Sequence, residues 1–142
     1  MKILVIGLGY VGTANAVLLS QHNEVVCYDL NADRINLINN KKSPIEDKEA
    51  SEYLSEKKLN LWGVFEFPFQ DDFDFVINRL NPPFNKEYLY LTQMLEISGV
   101  DCINPAKALR ENNEKDNYLL INDRINELLE RIQVLEKDRE QL

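Results

Sequence analysis

Residues 2–12, Lys-Ile-Leu-Val-Ile-Gly-Leu-Gly-Tyr-Val-Gly, leave the start of this chain few ways to fold. An apolar run of strand length, Ile3 to Ile6, opens directly into Gly7-x-Gly9-x-x-Gly12. Each glycine has a job at this spacing. Gly7 permits a tight turn, Gly9 lets backbone approach a pyrophosphate, and Gly12 lets the next helix pack close to the strand. N–H groups at the helix start, together with the helix dipole, favour phosphate charge there. A second apolar run, Val25-Val26-Cys27-Tyr28, ends in Asp29. An acid at that strand tip accepts hydrogen bonds from the adenosine ribose hydroxyls and repels a 2′-phosphate, which favours NAD over NADP. A tight strand–helix turn with no ligand would use the same glycines, so the motif leaves that alternative open.

At 142 residues and 44% hydrophobic content the chain has the length and apolar content for one packed domain of ordinary size. A net charge of −8 argues against nucleic acid as partner, since phosphates need Lys and Arg. No apolar run approaches the roughly 20 residues of a membrane span, which argues against a membrane partner. The first strand lacks a basic leading region and a small-residue cleavage site, so it reads as a strand and not as a signal peptide. Cys27 and Cys102 both fall in predicted strands without a spacing pattern, and read as buried thiols of a cytoplasmic protein. The single His22 sits in a helix–strand turn with no partner motif, and reads as a solvated loop residue.

Periodicity and breakers divide the chain into alternating elements. Strands are predicted over about 2–7, 24–29, 59–65, 73–80 and 100–103. Helices are predicted over about 11–21, from an Asn31 N-cap to 39, over 47–57 and over 86–98. Ile35 and Ile38 share one helix face, and Tyr53 with Leu54 is expected to be buried. Asn81-Pro82-Pro83-Phe84 stops a strand, since proline cannot donate to a ladder. Asn85 can cap the helix after it, and Gly99 ends that helix. Asn104-Pro105 starts another helix. The alternation implies an α/β fold: a Rossmann-like, open, mostly parallel sheet of four to five strands with helices on both faces. Trp62, Phe65, Phe67, Phe69, Phe73 and Phe75 concentrate the aromatics in one region, expected to be core with some on a rim beside Pro68.

The first 60 or so residues resemble the N-terminal segment of UDP-glucose 6-dehydrogenases. The likeness runs through Gly9-Tyr10-Val11-Gly12, Asn23-Glu24-Val25-Val26, Asp29, Arg34, Ile38-Asn39, Ser43-Pro44-Ile45 and Asp47-Lys48-Glu49. It implies that Gly7, Gly9, Tyr10, Val11 and Gly12 wrap the NAD pyrophosphate, and that Asp29 and Arg34 flank the adenosine ribose. The family's Ala-Thr-Pro-Thr type motif has no counterpart here. Neither does its Gly-Gly-x-Cys-x-Pro-Lys-Asp segment, which supplies the catalytic thiol. No residue is therefore assigned a catalytic role.

From about Asp72 to Lys115 the chain resembles something else. Asp74-Phe75-Val76-Ile77-Asn78-Arg79-Leu80-Asn81-Pro82-Pro83-Phe84, Glu87-Tyr88-Leu89-Tyr90, Ile103-Asn104-Pro105 and Ala108 to Lys115 are similar to the end of the N-terminal domain of bacterial glutathione synthetases. That likeness implies a substrate-side role for Arg79 and an ATP-site role for Lys115, but the ATP-grasp module is missing. Two families in one short chain point to a recombined or engineered chimera. The competing reading is a natural, divergent member of one family.

From Tyr118 the pattern changes again. Ile121, Ile125, Leu128, Ile132 and Leu135 recur at alternating steps of four and three, and Arg139 and Leu142 continue the phase. Isoleucine at a (125, 132) with leucine at d (128, 135, 142) favours a two-stranded parallel coiled coil, with Arg131 at g facing Glu136 at e of a partner. Leu120, Leu129 and Val134 lie off the seam and favour instead an amphipathic helix packed on its own domain. The chain thus divides into an α/β domain over 1–117 and an amphipathic helix over 118–142. A homodimer through residues 119–142 is one expected partner, and a dinucleotide is the other.

Asp71, Asp72 and Asp74 form an acidic cluster without further ligands at metal spacing, and read as a solvated loop, so no metal site is assigned. Three functions compete. One is a catalytically silent module that holds NAD. Another is a structural scaffold that self-associates through its tail and binds no ligand. The last is an active fragment of an NAD-dependent UDP-sugar dehydrogenase.

Overall fold

The computed structural model describes residues 1–80, 85–103 and 125–133. They fall in two units, a sheet domain within Met1–Ala106 and a helical segment within Lys107–Leu142. The Asn81–Phe84 strand stop, the helix expected from Asn104, Ala108 to Lys115, and tail positions 118–124 and 134–142 lie outside the described residues.

The sheet domain runs β1 (Lys2–Ile6), α1 (Tyr10–Leu19), β2 (Glu24–Tyr28), α2 (Ala32–Asn39), α3 (Lys48–Glu56), β3 (Leu61–Val64), β4 (Phe75–Asn78), α4 (Asn85–Ile97) and β5 (Asp101–Ile103). The five strands are ordered β3-β2-β1-β4-β5, and every pair is parallel. A strand covered on both faces must be apolar throughout, and Ile3 to Ile6 are all buried. Alternate side chains serve opposite layers. Ile3, Val5, Val25 and Cys27 pack with Ala16, Val17, Ile35, Ile38 and Leu54 from α1, α2 and α3. Leu4, Ile6, Val26 and Val76 pack with Leu95 and Leu91 from α4. The sheet is therefore doubly wound, and strand order reverses between β1 and β4. In such sheets the crevice beyond the strand ends at that reversal is where ligands bind.

Local chemistry ends the helices where the sequence suggests. Asn31 Oδ1 accepts from Asp33 N–H at 2.9 Å and starts α2. Asp47 Oδ1 accepts from Ala50 N–H at 2.7 Å and starts α3. Gly99, at φ +84°, lets Val100 N–H reach Leu95 O at 3.1 Å and closes α4.

Two expectations about burial need correction. Tyr53 is half-exposed, and α3 buries Ala50 with Leu54 instead, since those two share its inner face. The aromatic cluster divides. Phe73 is buried, but Trp62 on the edge strand β3 and Phe65 just after it lie at the surface, while exposed Phe69 sits on the rim expected beside Pro68. Phe67 bridges the two groups, edge-on to Tyr28 with ring centroids 5.3 Å apart. The acidic cluster has a structural use. Asp74 accepts from Lys2 N–H at 2.6 Å, and the Lys2 ammonium lies 3.4 Å from Asp71, so the start of β1 is tied to the strand beside it.

The β3 edge is itself blunted. The Asn39 carboxamide takes Gly63 N–H at 2.8 Å and gives its own N–H to Gly63 O at 3.0 Å, standing in for a further strand. A Cβ on Gly63 would come 2.9 Å from Ile35 Cγ2, so glycine lets α2 pack this close. Asn39→Ala is expected to lower stability by about 1 kcal/mol and to leave Gly63 open to edge-to-edge pairing. Urea melts, with light scattering on standing, measure both effects.

Thr13 is fully buried in α1, and its Oγ1 has no hydrogen-bond partner. A lone buried hydroxyl costs folding energy that a methyl of the same shape does not. Thr13→Val is expected to raise stability by about 1 kcal/mol in the same urea melts.

In the second unit, residues 125–133 are helical, and Ile125, Leu128, Leu129 and Ile132 are each about half exposed on it.

Candidate functional site

The site grows out of the end of β1. Gly7 continues the ladder through its N–H to Tyr28 O at 2.8 Å, then turns the chain at φ +90°. An L-residue is strained at that φ. Space also demands glycine, since a Cβ would lie 2.5 Å from Arg79 O and 2.7 Å from Leu80 N, the backbone leaving β4. The turn thus nests against the neighbouring strand across the point where strand order reverses. Gly12 is tighter still, because a Cβ there would fall 1.7 Å from Gly7 O. The first turn of α1 rests directly on the glycine turn.

Gly9 is the N-cap of α1 and supplies no side chain to it, while its carbonyl accepts Thr13 N–H at 2.9 Å. Helix geometry leaves the N–H groups of Tyr10, Val11 and Gly12 without intrahelical acceptors, and no side chain caps them. This is the mouth that sequence reasoning places under a diphosphate. Only the backbones of Tyr10 and Val11 belong to it. Their side chains are exposed, and line a groove of about 540 Å³ between α1 and α3 with Leu18, Ile45 and Tyr53.

Asp29, one residue past β2, is 7% exposed and crosses back to the turn. Its Oδ2 accepts from Leu8 N–H at 2.6 Å, and its Oδ1 accepts from Asn31 N–H at 2.8 Å. Arg34 from α2 brings a guanidinium N–H to Oδ2 at 3.4 Å. One carboxylate therefore joins the glycine turn, the tip of β2 and the start of α2. It is a staple first, with acceptor capacity left over. The Asn31 bond is an Asx turn, legible from an aspartate at a strand end. The contact with Leu8 and the backing by Arg79 and Leu80 carry no local signal, because they join residues far apart in the chain.

The acid also marks its neighbours. Burial, and then the Asp29 charge, raise the Cys27 thiol pKa and that of the Tyr28 hydroxyl. Cys27 is fully buried in β2, so it is a packing residue. Cys102 lies half-buried in β5, pushed up to about 11 by burial and then by the Glu96 and Asp101 carboxylates. Neither thiol has the lowered pKa that makes a cysteine nucleophilic at neutral pH. His22 is exposed in the α1–β2 turn. Among the described residues no group of three His, Cys, Asp or Glu could hold a metal ion.

The turn meets the requirements of a dinucleotide on the structure's own terms. A side chain would fill the space at Gly7 and Gly12, and the helix mouth behind them carries uncapped donors. The sequence profile of the UDP-glucose/GDP-mannose dehydrogenase family, NAD binding domain, matches residues 1–90. The chain belongs to this family. A UDP-glucose 6-dehydrogenase of Streptococcus pneumoniae is 54% identical over 61 residues, which are 43% of this chain and 16% of that protein. A glutathione synthetase of Neisseria meningitidis is 46% identical over 46 residues, 30% of this chain and 14% of that protein. The crystal structure of a ternary complex of GDP-mannose dehydrogenase from Pseudomonas aeruginosa superposes with a TM-score of 0.54 at 30% identity, covering 66% of this chain and 23% of that one. The chain thus spans about a sixth of the length of the first of these relatives. The domain is an NAD-binding Rossmann fold of the UDP-sugar dehydrogenase type. Among the described residues no helix is long and apolar enough to cross a membrane.

Proposed function

We propose that this chain is a catalytically silent NAD-binding module. Gly7, Gly9, Tyr10, Val11 and Gly12 would hold the diphosphate through backbone groups, and Asp29 with Arg34 would meet the adenosine ribose. The observation that carries the reading is the uncapped start of α1 resting on Gly7, with a buried carboxylate beside it. Silence is supported by the cysteines, since Cys27 is packed in the core and Cys102 holds its proton at neutral pH. NAD itself would bring a hydride acceptor, but no side chain is assigned to deliver a substrate to it.

We also read the chain as a recombined or engineered chimera, with dehydrogenase-like residues 1–60 and glutathione-synthetase-like residues 72–115 in one α/β domain over 1–117. The support is that two different enzymes each match only part of this chain, 43% and 30% of it, and that β4 still pairs with β1 from Ile3↔Phe75 to Ile6↔Asn78.

Calorimetric titration with NAD tests the binding claim. Heat of binding at sub-millimolar NAD, with weaker binding of NADP, is the expected result. No heat and no rise in melting temperature up to millimolar NAD would overturn it. NADH formed from NAD and UDP-glucose by the purified chain would overturn the silence. A second reading rests on the half-exposed apolar residues of helix 125–133: a scaffold that self-associates through residues 119–142.

A further inference from the structure

The heptad tail belongs to neither resemblance. Within the described helix, Ile125, Leu128 and Ile132 stand at a, d and a, each 47 to 50% exposed. Leu129, at e, widens the stripe and is 51% exposed. Half-open isoleucine and leucine at heptad spacing are what a lone strand of a coiled coil presents. The pattern also selects the occupant. β-Branched residues at a with leucine at d favour two strands over three or four. Arg131 at g and Glu136 at the next e have opposite charge, and a parallel, in-register pair brings those positions together between chains. An antiparallel pair sets g against g instead, which faces Arg131 with its own copy and leaves Glu136 without an arginine.

We propose that the tail of one chain pairs with the tail of a second copy, parallel and in register, as a two-stranded coiled coil sealed by Ile125, Leu128 and Ile132. This rests on the self-association reading and commits it to one seam, strand number and orientation. It is independent of NAD binding.

Sedimentation equilibrium of the full chain, with and without NAD, reads the assembly. A dimer is expected in both. Ile132→Asp, which puts a charge in the seam, should raise the dimer dissociation constant by roughly a hundredfold. Glu130→Lys, on the outer face at f, should leave it unchanged. Arg131→Glu should weaken the dimer about tenfold, and adding Glu136→Arg should restore it, since two reversed pairs attract as the native ones do. Leu128→Cys, equilibrated in a glutathione redox buffer beside the parent chain, should form an interchain disulfide that the parent does not.

A parent chain that is monomeric at every concentration overturns both this proposal and the self-association reading. A dimer indifferent to Ile132→Asp removes the tail as its seam and leaves self-association standing. A dimer in which Leu128→Cys chains fail to cross-link, while mixed Leu128→Cys and Ile132→Cys chains succeed, overturns the parallel orientation alone, since an antiparallel pair layers d against a.

Discussion

Gly12→Ala is expected to cost at least about 3 kcal/mol of stability and to abolish NAD binding. The new Cβ would start 1.7 Å from Gly7 O. That atom is backbone at the base of the turn, so no side chain can swing aside. Relief requires α1 to lift from β1, which opens the contacts of Ala16 and Val17 with the sheet. The mouth that would receive the diphosphate shifts with it. Gly99→Ala is the contrasting control. It has a positive φ, at +84°, which helical Gly12 does not, and a Cβ there meets nothing within 4 Å. Only the backbone term remains, about 1 kcal/mol. Urea unfolding followed by circular dichroism compares the two. Equal losses would mean that α1 does not rest on Gly7 and that the site is wrongly built.

Asp29→Asn should have the second largest effect, and it separates two roles held by one side chain. The carboxylate accepts from Leu8 N–H and Asn31 N–H at once, and lies beside Arg34. A carboxamide keeps the shape but presents one N–H₂ group to a backbone donor, and it leaves the guanidinium unpaired. The loss of stability should be about 2 kcal/mol, the scale of a buried hydrogen bond to a charged acceptor. NAD affinity should fall about tenfold, and the preference over NADP should shrink, because the charge that repels a 2′-phosphate is gone. Urea melts and calorimetric titration with both nucleotides give the two numbers independently. A stability loss with unchanged NAD affinity would make Asp29 a staple only and withdraw its ribose role.

Much of this was legible along the chain because the decisive signals are local. Asn31 and Asp47 cap their helices through N–H groups two and three residues on. Gly99 ends α4 because a left-handed residue is needed there whatever packs nearby. The buried run of β1 and the glycine spacing announce a strand-to-helix corner before any contact is known. The misjudged residues depended on neighbours. Tyr53 stands beside Leu54 in an amphipathic helix, and only the direction of the sheet decides which of the two is covered. Trp62 and Phe65 look like core by composition, yet β3 ends the sheet, and they lie on it and just past its end. Asn39 reads as the end of a helix, and its pairing with Gly63 is visible only when α2 lies over β3.

The chain's own order of residues determined that a strand runs into a glycine turn and a helix, that an acid follows the second strand, and that strands and helices alternate toward a parallel sheet. These follow from backbone sterics and hydrogen bonding over a few residues. Tertiary structure alone decided the order β3-β2-β1-β4-β5, the approach of Arg79 and Leu80 behind Gly7, and the reach of Asp29 to Leu8. Those contacts join residues 21 to 73 positions apart. Their energy depends on how two faces of one sheet are covered, and no window of neighbouring residues contains that information.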